Sequence, residues 1–161
     1  MSRSSILVGL SDYENFWLKF EGDVRVPWCL SLEFYCESVI KQPGIKKIFI
    51  DLMNANNIDS TTLGVLAKVS KLSQKFCNNI PTLIFNNEDI DRLITSTGLA
   101  SIFNIENEIN IKNISFDNLP VLNSSDEDIK KIVIEAHENL IELTQDNQLK
   151  FGTLVDSLYK S

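Results

Sequence analysis

The chain has 161 residues, enough for one domain or for one domain with a short appendage. A chain of this size buries roughly two-thirds of its unfolded surface and needs no metal or disulfide staple. Hydrophobic residues make up 43% and charged residues 23%, as in an ordinary globular protein, and no apolar run approaches the ~20 residues of a membrane span. The net charge of −7, with arginine only at Arg3, Arg25 and Arg92, excludes nucleic acid as a main partner, because phosphate binding needs a basic face.

The first ten residues, MSRSSILVGL, contain a short apolar run without a small-residue cleavage site after it, and read as a first strand rather than a secretion signal. Ser5 to Leu10 and Asn15 to Phe20 are rich in β-branched and aromatic residues and are parted by Ser11-Asp12-Tyr13-Glu14, which predicts paired strands with a polar turn. Gly22-Asp23 ends the second strand. Pro27 suits the first turn of a helix, where its missing N–H is not needed, and Leu30, Phe34, Tyr35, Val39 and Ile40 recur at helical spacing up to Pro43-Gly44. Cys29 and Cys36 lie two turns apart, so both should face the core as buried thiols of a reducing, cytoplasmic compartment, with Cys77 the odd third.

Lys46 to Met53 is a near-continuous apolar run behind two lysines, the pattern of a parallel strand covered on both faces. An Asn-rich turn, Asn54 to Asn57, leads to a helix from about Thr61 to Cys77 with Leu63, Leu66, Val69 (or Ser70), Leu72 and Phe76 inward. Pro81 to Phe85 is a short buried strand, and Glu88 to Ser96 a helix with Ile90, Leu93 and Ile94 inward. Gly98 fits the left-handed position after it, and a weak strand is expected at about Glu108 to Ile111. Strands alternating with helices predict an α/β fold with a mostly parallel sheet of four to five strands covered by helices. Residues 113–125 read as a connection. Ser125 and Asp128 form a relative of the capping box, and Ile129, Val133, Ala136, Leu140 and Leu143 mark a C-terminal amphipathic helix over 126–161, which Phe151, Leu154 and Leu158 can continue.

The residue inventory offers no enzyme site. The single histidine, His137, reads as a solvent-edge residue of that helix. No set of ligands has zinc spacing, no Gly-rich phosphate loop follows a strand, and no metal or cofactor is expected.

Two acceptors of phosphate remain. Asp51, in IFIDLMNAN, is similar to the phospho-aspartate of response-regulator receivers. The acidic pair that would hold magnesium is missing, with only Asp12 after the first strand, and Lys112 near the last strand lacks the proline that usually follows. Asp59 and Ser60 are both favoured helix N-caps, a role worth about 1 kcal/mol. Ser60 also sits in Ile58-Asp59-Ser60-Thr61-Thr62-Leu63-Gly64-Val65-Leu66. That stretch resembles the phosphorylation motif of the anti-sigma-factor antagonists of the STAS family. Phe20-Glu21-Gly22-Asp23-Val24, Ile48 to Leu52, and Thr97-Gly98-Leu99 with Ile102-Phe103 are similar to further family segments in the family's order, over about residues 5 to 105. Thr62 stands where many members have glycine, and the tail after about residue 112 exceeds a minimal member.

The resemblance implies a STAS-like domain over 1–112, followed by the connection and a helical extension over 126–161. It implies binding to an anti-sigma factor, or to its serine kinase or phosphatase regulator, and phosphorylation of Ser60 as the switch. Asp59, Thr61 and Thr62 would then rim the docking surface, with Asp23 and Arg25 nearby. Lys68, Lys71 and Lys75 form a basic row that could help docking or be a solvated face. The alternative is a STAS-like scaffold or sensor that is never phosphorylated, and the extension could also make a homodimer.

Overall fold

The computed structural model describes residues 3–109 and 114–161. Six strands form one sheet in the order β5-β4-β3-β2-β1-β6. Strand β1 (Ser5–Ser11) turns back into β2 (Asn15–Val24) through Asp12 and Tyr13, both with positive φ, and the pair is antiparallel. Strands β2, β3 (Lys47–Ile58), β4 (Thr82–Ile84) and β5 (Asn104–Glu106) then run parallel to one another. The sheet is therefore mixed but mostly parallel, as the alternation of strands and helices predicts. Strand β6 (Phe116–Asn118) adds an antiparallel edge beside β1, within the segment read as a connection.

Strand β3 is longer than expected. The asparagines read as a turn remain in the sheet, because β2 continues through two bulges and keeps pairing as far as Val24 with Ile58. The last strand also differs: β5 comes earlier than the strand expected at 108–111, of which residues 110 and 111, like Lys112, lie outside the described residues.

Helix α1 (Cys29–Ile40) follows a single 3-10 turn that holds Pro27. Cys29, Leu32, Cys36 and Ile40 face the core, whereas Phe34, expected inward, is 65% exposed. The two small thiols thus occupy the close side of the helix, where Cys29 Sγ lies 3.4 Å from the Thr62 hydroxyl. Burial pushes the Cys29 thiol up to about 12 and raises Cys36 as well, so both are inert packing groups. Helix α2 (Ser60–Leu72) ends in a π-helical turn over Ser73–Cys77. Its residues from Thr61 to Ala67 are all buried, so it is enclosed on every side rather than facing solvent with one. Phe76, expected inward, is 43% exposed.

Helix α3 (Glu88–Ser96) buries Ile90 and Ile94, and Gly98 takes φ 81°, the left-handed conformation its place after the helix requires. The C-terminal segment forms two helices, α4 (Asp126–Ile141) and α5 (Gln145–Lys160). The Ser125–Asp128 capping box starts the first, and Thr144 caps the second. No helix among the described residues is long and apolar enough to cross a membrane.

Candidate functional site

The segment joining β3 to α2 contains no loop at all: β3 ends at Ile58, Asp59 is the N-cap, and Ser60 is the first helical residue. Asp59 binds in two directions. Its Oδ1 accepts from the Thr62 amide at 2.8 Å and the Thr62 hydroxyl at 2.6 Å, and its Oδ2 accepts from the Val26 amide at 2.8 Å. One carboxylate thereby caps α2 and ties it to the segment that leaves β2. Thr62 sits in helical backbone, so a β-branched residue carries no strain there, and its hydroxyl reinforces the cap.

Ser60 faces the other way. Its hydroxyl lies 2.8 Å from His137 Nε2, a residue far along the chain in α4. His137 Nδ1 lies 2.7 Å from the Val133 carbonyl, which can only accept, so Nδ1 carries the proton. In the neutral ring Nε2 is then an acceptor, and the Ser60 hydroxyl donates to it. The imidazole is 2% exposed and meets the edge of Phe151 at 5.0 Å between centroids. His137 is therefore a buried partner of Ser60, not the solvent-edge residue its sequence position suggested. The spacing could have revealed it: Val133, His137 and Leu140 fall on one helix face, within the apolar stripe.

The other expected site residues divide into two groups. Asp23 and Arg25 lie beside the Asp59 cap, with their own charges 3.8 Å apart, and Arg25 is largely exposed. Thr61 and Thr62 are 4% and 0% exposed, so they support the site from within and do not rim it. Lys68 and Lys71 are not a free basic row. Lys68 sits between Glu33 of α1 at 2.9 Å and Glu135 of α4 at 2.7 Å, and Lys71 reaches Asn139 of α4 and Glu142, which caps that helix. Burial works to lower the Lys68 ammonium, but its two carboxylate partners outweigh that and hold it above its ordinary value. Lys75 lies over the Phe76 ring at 5.3 Å. Asp51 lies inside β3, 3% exposed, with its carboxylate on the Met53 amide at 2.9 Å, and not at the end of the strand where a receiver presents its acceptor. No group of three or more His, Cys, Asp or Glu side chains among the described residues could hold a metal ion.

The fold has counterparts among solved structures. SpoIIAA, an anti-sigma factor antagonist, in its unphosphorylated form gives a TM-score of 0.55 at 11% identity, covering 65% of this chain and 90% of that one. The phosphorylated form of SpoIIAA, a Bacillus cell fate determinant, gives 0.54 at 12% identity over 65% and 93%. An anti-sigma factor antagonist from Mycobacterium paratuberculosis gives 0.57 at 20% identity over 67% and 89%. The chain has the fold of the anti-sigma factor antagonists. No family model matches its sequence, and no curated protein does. About a third of the chain lies outside each match, while these solved chains are covered almost whole.

Proposed function

We propose that the chain is a STAS-family anti-sigma-factor antagonist, a non-enzymatic and cytoplasmic protein of bacterial partner switching. It would bind an anti-sigma factor, or the serine kinase or phosphatase regulator of one, and be switched by phosphorylation of Ser60. The observation that carries this reading is the place of Ser60 at the first residue of α2, directly after β3, in a chain with the antagonists' fold. One solved neighbour is described in both unphosphorylated and phosphorylated forms, which makes the same chemistry the natural reading here. A helix start is suited to it, because free amides and the positive end of the dipole favour an added −1.5 to −2 charge.

The docking surface in this reading centres on Ser60 and includes Asp59, Asp23 and Arg25, with Thr61 and Thr62 fixing it from beneath. Lys68 and Lys71 contribute at its margin, already neutralised by their carboxylate partners. Residues 1–112 form the STAS-like part, and 126–161 the extension. The test is a pull-down of the purified chain with its cognate anti-sigma factor, comparing wild type with Ser60→Asp. Retained folding with lost binding is the expected result, and undiminished binding of a folded Ser60→Asp chain rejects the switch.

A second reading, a STAS-like scaffold or sensor never phosphorylated, draws on the Ser60–His137 hydrogen bond, which gives the hydroxyl a purely structural occupation. It predicts that no phosphate appears on Ser60 after incubation with the cognate kinase and ATP.

A further inference from the structure

Ser60, Gly64 and Lys68 stand one turn apart and share a face of α2. Helix α4 engages that whole row. His137 takes the Ser60 hydroxyl, and Glu135 takes Lys68. Between them the backbones touch: a Cβ on Gly64 would lie 2.1 Å from the Ala136 carbonyl oxygen. Helix α5 backs the contact, with Phe151 against His137 and Asn147 donating to the carbonyls of Thr97 at 2.8 Å and Leu140 at 2.6 Å.

We propose that α4 and α5 are the moving element of the switch: the Ser60 hydroxyl latches them onto α2 through His137, and phosphate on Ser60 unlatches them. This rests on the reading of Ser60 as the phosphate acceptor, and adds that the docking surface around it is composite, with α4 as one wall. Phosphorylation dismantles that wall, so partner loss follows from a rearrangement and not only from a bulky anion in the interface.

The latch depends on one proton. Phosphoryl transfer from ATP forms the bond from Ser60 Oγ to the γ-phosphorus, breaks the bond from that phosphorus to the departing ADP oxygen, and removes the hydroxyl proton to the kinase base. Oγ then has nothing to donate, and the buried Nε2 faces an ester oxygen, which leaves an acceptor without a partner. The new tetrahedral group must also find room on the row where α4 already meets the α2 backbone, next to the Asp59 carboxylate. The tether permits release. Residues 119–125 are without regular structure before α4, and their anchoring bonds, the Leu119 amide to the Ile6 carbonyl at 2.8 Å and the Leu122 amide to Ser31 Oγ at 2.7 Å, lie ahead of the Ser125 cap.

The test needs no partner protein. The full chain is made with phosphoserine incorporated at position 60, and amide hydrogen exchange is followed by mass spectrometry beside wild type and His137→Ala. Phosphoserine is expected to speed exchange across 126–160 about tenfold, with β3 and β4 unchanged. His137→Ala should speed the same segment, and phosphoserine on top of it should add little, because the two changes break one bond. Unchanged or slower exchange in the phosphorylated chain overturns the proposal, since the imidazole would then hold α4 down by pairing with the phosphate. Faster exchange throughout the sheet overturns it too, because the helices would not move as a unit. Loss of anti-sigma-factor binding is measured separately, so a failed antagonist reading leaves this result intact, and the reverse also holds.

Discussion

Asp59 and Ser60 are adjacent at one helix start, yet they belong to different contacts of the molecule. Asp59 ties α2 inward, to the segment leaving β2 and to Thr62. Ser60 ties α2 outward, to His137 of α4. The inward contact is made by three hydrogen bonds to one carboxylate, with Val24, Cys29 and Leu63 packed around it at no more than 1% exposure. The outward contact joins one hydroxyl to one imidazole and lysines to carboxylates along α2, beside an apolar face on which Ile132, Ala136 and Leu140 of α4 are buried. The inward contact is a dense, mutually capped knot with no single removable bond, whereas the outward one adds to its apolar packing a polar pair that one modification can break.

The comparison breaks most severely at Asp59. Asp59→Ala removes the cap and strands the amides of Thr62 and Val26, which together should cost about 3 kcal/mol. Urea unfolding should show a lower midpoint with unchanged slope, and Asp59→Asn should recover part of the loss, since an amide oxygen can still cap.

Gly64→Ala acts on the outward side alone. The added Cβ meets the Ala136 carbonyl oxygen, an overpacking that costs about 1–3 kcal/mol, less up to about 1 kcal/mol regained in helix propensity. The expected signature is displacement of α4, read as altered exchange over 126–160 while α1 and β2 stay protected. Equal loss on both sides would show that the two contacts are one cooperative unit.

Ser60→Ala comes next. It leaves the inward knot intact and removes the hydrogen bond to His137 Nε2, so a loss of about 1 kcal/mol is expected in thermal or urea unfolding. The effect should vanish in a His137→Ala background, because no acceptor is left to be stranded.

Much of the inward side could be read from the amino-acid order. The alternating strands and helices, the Pro27 and Gly98 punctuation, the paired cysteines and the cap at Asp59-Ser60 are local signals, and each depends only on neighbouring residues. What escaped depends on partners far apart in the chain. The asparagines after Met53 form strand because β2 extends to meet them, and Phe34 points outward because Cys29 and Cys36 sit closer to α2. The neutralised lysines arise from α1 and from the C-terminal helices, whose docking site no local pattern announces. The split of the C-terminal segment at residues 142–144, and the pairing of Ser60 with the single histidine, belong to the same category. Gly64 held a hint of that pairing: a helix interior that tolerates glycine often has another backbone against it.

A last, smaller test uses Asp51, which belongs to neither contact and serves as their control. It lies inside β3 beside Lys19 of β2, and burial raises its carboxyl above the ordinary value of 3.8, against the opposing effects of the Met53 amide and Lys19. A carboxyl with a raised native value holds a proton in the folded state at pH values where the unfolded chain has lost it. Folding is therefore penalised above the native value, and the penalty disappears as pH falls through that value towards the unfolded one. Asp51→Asn should be more stable than wild type at neutral pH, and its advantage should shrink on acidification through the same window. The measurement is the difference in urea midpoint between the two proteins from pH 7 downward, which cancels the contributions of all other carboxylates. Exchange over 126–160 should not respond, because Asp51 touches neither the Asp59 knot nor the Ser60 latch. A response there would mean that the sheet and α4 communicate by a route other than the start of α2.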